Sequence, residues 1–155
     1  MQVLDESQGF PNTEEFAKSV RAKYPYPRRV DCYPDPTGNA RKSSAPVGQT
    51  DFTILRDYKI NVLTRSKSPP IVDSVQATNS KFMTAAGDVG FFIHPKCENT
   101  IKSLERTQWV DKNPDSLTID KTENIEHWSD GIRYPIEYLW PVKGSHKRVA
   151  RGFGF

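Results

Sequence analysis

Short apolar runs alternate with stretches whose apolar residues recur at helical spacing, and prolines or glycines stand at most of the joins. This alternation constrains the fold more than any other feature. The first run, Gln2 to Leu4, ends at Asp5 and Glu6. Beyond Gly9-Phe10-Pro11, Asn12 is suited to cap a helix with Glu15 as its box partner, and Phe16, Val20 and Tyr24 form one stripe. Pro25 and Pro27 stop that helix, and Val30 to Tyr33 is the second strand. Thr50 caps a short helix through Ile54 and Leu55, and Ile60, Val62 and Leu63 mark a third strand. Ser68, with Pro69 and Pro70 in the first turn, starts a helix carrying Ile71, Val75, Thr78 and Phe82, which Gly87 closes. Val89 to Ile93 (VGFFI) is the strongest strand signal, nearly all residues of buried type. Cys97, Ile101 and Leu104 give another helical stripe, Leu117 to Ile119 an extended piece, and Ile125, Trp128, Ile132, Ile136 and Leu139 a final helix. Strand and helix in alternation predict an α/β fold, with a largely parallel central sheet and helices on both faces.

A chain of 155 residues fits one domain, and its 12 prolines keep every helix short. Only 35% of the residues are hydrophobic, but 3 Trp, 6 Tyr and 8 Phe supply large packing groups. No apolar stretch is long enough for a membrane helix, and MQVLDESQGF has no signal-peptide profile. Cys32 and Cys97 are too few for a disulfide framework or a four-thiolate zinc site, so the expected setting is the cytoplasm. Lys and Arg together number 22 against 19 Asp and Glu, a net +3 that permits a nucleic-acid partner without requiring one. After Glu137 there is no acidic residue, and Lys143, Lys147, Arg148 and Arg151 make residues 142–155 a basic tail. The domain proper is expected over residues 1–141.

In parallel α/β folds, chemistry gathers beyond the carboxyl ends of the strands. Asp35 lies there, between Pro34 and Pro36 and before Gly38-Asn39. It reads either as a metal ligand or catalytic acid, or as the side chain of an Asx-type turn. The second candidate is the helical stretch Glu126 to Tyr134, in which Glu126 and Asp130 project from one face and repel unless a cation lies between them. Gly131 beside Asp130 suggests close packing or a crowded site. His127 reads as a packing residue, and Asp5 and Glu6 either add carboxylates at the sheet edge or simply end a strand. GxxxxGK[ST], HExxH, CxxC and GxSxG are absent, and three histidines (His94, His127, His146) make a three-histidine metal site implausible. Carboxylates suit Mg²⁺ or Mn²⁺.

The segments YPDPTGNARKSSAPVGQTDFTILRDYKINVLTRSKSPPIVDSVQATN, FFIHPKCENTIKSLE and HWSDGIRYPIEYLWP, in this order, resemble the C-terminal nuclease domain of the large terminase subunits of tailed bacteriophages. The resemblance runs from Gln2 to Pro141, and YPDPTGNAR and HWSDGIRY are its sharpest motifs. It implies a ribonuclease-H-like fold and a metal-dependent endonuclease that cuts double-stranded DNA during genome packaging, with two Mg²⁺ or Mn²⁺ ions in a complete site. Asp35 and Asp130 match the family's second and third acids, and Arg133 and Tyr134 are expected to be structural. Asp5, Glu6 and Glu126 are possible further acids. Arg41, Lys42, Arg65 and Lys67 are candidate contacts to the DNA backbone.

The family's first strand, with its acid, and its ATPase domain have no counterpart in these residues, so the expected domain is incomplete at its N-terminus. The implied partners are DNA and the rest of the terminase: ATPase domain, small subunit and portal. The implied setting is the host cytoplasm, and an exposed sheet edge would favour self-association. The alternatives are a catalytically inactive terminase fragment that binds DNA or protein, and an unrelated α/β domain sharing turn motifs.

Overall fold

The computed structural model describes residues 1–40, 48–84, 86–110, 118–120 and 125–142. Among them the chain is α/β, with four two-residue strands and five α-helices. In chain order these are β1 (Gln2–Val3), α1 (Thr13–Lys23), β2 (Asp31–Cys32), α2 (Asp51–Asp57), β3 (Asn61–Val62), α3 (Ile71–Phe82), β4 (Phe92–Ile93), α4 (Glu98–Arg106) and α5 (Glu126–Leu139). The strands form two parallel pairs: β1 lies beside β4, with Gln2 opposite Phe92, and β2 lies beside β3, with Asp31 opposite Asn61. Where one central sheet is expected, the described residues hold two short ladders, each with its own apolar cluster.

Local signals explain the starts of α1 and α2. The Asn12 side chain accepts from the Glu15 backbone N–H, and Thr50 and Thr53 form a reciprocal capping box at α2. Ser68 does not cap α3: that helix begins at Ile71 behind an extended Pro70 and has no side-chain cap. The reason is steric, because a residue that precedes proline is driven out of the helical region, and both Ser68 and Pro69 do so. Nor does Gly87 end α3, which stops at Phe82; Gly87 instead supplies a left-handed turn at φ +87°.

The ladders are covered by different helices. Ala17, Leu55 and Ile60 are buried together, with Val30, Cys32 and Val62 packed against them, so α1 and α2 cover the β2–β3 pair. Ala77, Phe91, Ile132 and Ile136 form the second cluster, with Val3 and Ile93 packed against it, so α3 and α5 cover the β1–β4 pair. The VGFFI run is therefore less buried than its composition suggests. Phe91 and Ile93 face the cluster, while Phe92, on the opposite side of the pleat, is 55% exposed. Val89 and Leu4 are exposed as well.

Helix α5 joins the two halves. Its middle packs on α3 and α4. Its last turns reach the carboxyl ends of β2 and β3, where the Tyr138 and Tyr33 rings lie 5.4 Å apart between centroids. Its buried face is largely polar: Glu126, Ser129, Arg133 and Glu137 alternate with Ile132 and Ile136, while Leu139 is exposed. The helix continues through Pro135. Proline has no N–H for the carbonyl four residues earlier, which is that of Gly131 on the exposed side of the helix. Gly131 does not mark crowding, since a Cβ built there meets nothing within 4 Å. Gly131→Ala is therefore expected to raise unfolding free energy by roughly 0.5–1 kcal/mol, the gain from a less flexible unfolded chain, measurable by urea titration.

Candidate functional site

The site forms where α5 crosses the end of β2. The chain leaves β2 through Tyr33 and Pro34, and Asp35 begins a 3₁₀ turn over Pro36–Asn39. A carboxylate at this point accepts the free N–H two residues on, and the Thr37 N–H donates to Asp35 Oδ1 at 2.8 Å. The turn is fixed from beneath by Gly38, where a Cβ would lie 2.9 Å from the buried Phe52 ring, so only glycine lets turn and ring approach this closely. The Asx-turn reading of Asp35 is thus realised, but it accounts for only part of the geometry.

The other part comes from α5. The Tyr134 hydroxyl donates to Asp35 Oδ2 at 2.7 Å, across 99 residues of sequence. Burial pushes the Tyr134 phenol well up from its ordinary range, and the bond to Asp35 and the charges of Asp35 and Asp130 push the same way. Tyr134 therefore stays protonated as a donor near neutral pH. Asp130 lies one turn earlier on the same helix and forms an ion pair with Arg133. Arg133 is buried, and its Nη1 donates to Ser74 Oγ on α3 at 2.9 Å. Of the two residues expected to be structural, Arg133 ties α5 to α3 and pairs with Asp130, and Tyr134 contacts Asp35 directly.

The basic residues divide. Arg65 Nε donates to Glu137 Oε2 at 2.7 Å, Nη2 donates to the Glu137 carbonyl at 3.1 Å, and the guanidinium lies over the Tyr138 ring. It fastens α5 to the end of β3 rather than presenting a free charge. Lys67 is exposed on the same connection. Arg41 and Lys42 lie outside the described residues.

The additional acids have other work. Asp5 pairs with Lys23 and Lys96, which hold its carboxyl down to about 2. Glu6 caps α4, accepting from the backbone N–H groups of Asn99 at 3.0 Å and Thr100 at 2.8 Å. Burial works against the charged form of Glu6, but these hydrogen bonds outweigh it and its carboxyl lies below the ordinary value. A carboxyl lowered in the folded state contributes stability above its unfolded value, lost as pH falls through the folded one. Glu6→Ala is therefore expected to cost about 1 kcal/mol near pH 7 and clearly less near pH 3, read from urea unfolding at the two pH values. Glu126 is buried at the start of α5, and its Oε2 meets no hydrogen-bond partner.

Asp35 and Asp130 offer anionic oxygen donors, the chemistry that suits a hard divalent cation such as Mg²⁺ or Mn²⁺. Among the described residues no group of three or more His, Cys, Asp or Glu side chains is arranged to hold a metal ion. No helix among the described residues is long and apolar enough to cross a membrane. Compared with protein-family models, curated proteins and solved structures, the chain matches none.

Proposed function

We propose that this chain is the ribonuclease-H-like nuclease portion of a phage DNA-packaging terminase, cutting double-stranded DNA with Mg²⁺ or Mn²⁺ held by Asp35 and Asp130. One observation carries the reading. The two motifs on which the resemblance rests, YPDPTGNAR and HWSDGIRY, meet through the 2.7 Å bond between Tyr134 and Asp35. A bound ion would lower the pKa of an attacking water and stabilise the leaving oxygen. The chain's own part is to hold the carboxylates: Asp35 by the Thr37 N–H and the Tyr134 hydroxyl, Asp130 by Arg133. Lys67, exposed on the β3–α3 connection, is available to a DNA phosphate.

A second reading is a non-catalytic module that binds DNA or the rest of the motor. It is favoured by the pairing of Asp130 with Arg133, which a cation would have to displace, and by the commitment of Asp5 and Glu6 elsewhere. The uncovered side of the β1–β4 pair, with Leu4 and Phe92 62% and 55% exposed, supports a protein partner in either reading.

Nicking of supercoiled plasmid, with Mn²⁺, with Mg²⁺ and with chelator, separates the two. Metal-dependent nicking that is lost in Asp35→Asn supports the nuclease. A folded chain that binds DNA without nicking it supports the module. Nicking that survives both Asp35→Asn and Asp130→Asn would sink the site assignment.

A further inference from the structure

We infer that Tyr134 is a positioning residue for Asp35, setting the plane of its carboxylate for a divalent cation; the inference rests on the metal-dependent reading above. The backbone at Asp35 is stiffened by the prolines on either side, but its side chain still has two torsions to fix. The Thr37 N–H holds Oδ1 and the Tyr134 hydroxyl holds Oδ2, so both oxygens are tied and the carboxylate plane is defined. A hydrogen bond to an ionised acceptor is among the stronger ones, and the 2.7 Å separation is of that kind.

The tyrosine is itself well placed to act as a fixed point. It lies between two anchors on α5: Arg133, bonded to Ser74 and Asp130, and Glu137, bonded to Arg65. Its phenol is a neutral donor, so it can direct the carboxylate without adding a positive charge that would compete with a metal ion. Arg133 treats Asp130 differently, since a guanidinium both holds the carboxylate and neutralises it. Two consecutive residues of one helix thus hold the two acids by different chemistry. Partners that orient a metal-binding side chain in this way typically carry about 10- to 100-fold in metal affinity.

The test is Mn²⁺ binding to the full chain, with free Mn²⁺ measured by electron paramagnetic resonance, for wild type, Tyr134→Phe and Asp35→Asn. Thermal melts are recorded alongside. Tyr134→Phe keeps the ring and removes only the hydroxyl. The expected result is loss of binding in Asp35→Asn and a Kd raised about 10-fold or more in Tyr134→Phe, with the two melts close to wild type. A purely structural hydroxyl would lower the melt and leave Mn²⁺ affinity alone. If Asp35→Asn abolishes binding while Tyr134→Phe binds within about twofold of wild type, the positioning role is wrong and the ion site stands. If wild type does not bind, or Asp35→Asn binds as wild type does, the metal reading falls and the inference with it. Should Tyr134→Phe fail to fold, paramagnetic broadening in the wild-type protein decides. Tyr134 ring signals that broaden at low Mn²⁺ support the inference, and ring signals untouched at saturation overturn it.

Discussion

Replacing Asp35 by asparagine is expected to lower metal-dependent plasmid nicking by at least about 100-fold while changing stability little. Asparagine keeps the shape of the side chain and one carbonyl oxygen. It can still accept from the Thr37 N–H, and its amide remains within reach of the Tyr134 hydroxyl. What it loses is the charge and the second acceptor, the properties a divalent cation needs. Asp130→Asn is a less clean experiment. Arg133 is only 8% exposed and depends on Asp130 as its acidic partner, so the amide leaves a buried guanidinium short of its counter-charge. The loss of nicking in each variant is compared with its melt. Unchanged nicking in folded Asp35→Asn would end the claim that this carboxylate holds the metal.

The largest effect on stability is expected at Ile136. Its side chain is fully buried, in one cluster with Ala77, Phe91 and Ile132, where α5 packs on α3 over the β1–β4 pair. Truncation to alanine removes buried methylene and methyl groups and leaves a cavity, at about 2–5 kcal/mol. Total stability for a domain of this size is about 5–15 kcal/mol, so Ile136→Ala is expected to shift the urea midpoint strongly and to bring the protein near unfolding at raised temperature. Leu139→Ala, one turn on but 45% exposed, is the control and is expected within about 0.5 kcal/mol of wild type. Equal losses at the two positions would contradict the placement of α5.

Local chemistry made much of this fold readable. The caps at Asn12 and Thr50 act between residues three apart, and the structure has both. The parallel pairing follows from strands that alternate with helices, whereas on α3 the buried residues are Ser74, Ala77 and Thr78, of which the expected stripe held only Thr78. What was not readable depends on distant residues. The apolar stripe expected on α5 keeps Ile132 and Ile136 but is interrupted by buried Glu126, Ser129, Arg133 and Glu137, and the groups that bond Arg133 and Glu137, Ser74 and Arg65, lie 59 and 72 residues away. The Tyr134 bond to Asp35 is hidden for the same reason, although the four-residue step from Asp130 to Tyr134 already placed both on one helical face. The pairing of Arg65 with Glu137 is hidden too, because its partner lies 72 residues away. Phe92 looked buried because a run of apolar residues does not reveal that helices cover only one side of its ladder.

The position of α5 also bears on how the molecule comes apart. The two ladders share no strand, and their apolar clusters are separate. Two such halves could open independently, each with its own local unfolding free energy. Helix α5 contributes Ile132 and Ile136 to one cluster and fastens Tyr134, Glu137 and Tyr138 to the strand ends of the other. Fraying that helix loosens both at once, which makes it the element that turns two small folding units into one cooperative one. The contacts that α5 makes with Asp35 and through Asp130 then hold only while the whole domain is folded, and a mutation deep in the α3–α5 contact is expected to disturb them without touching either residue.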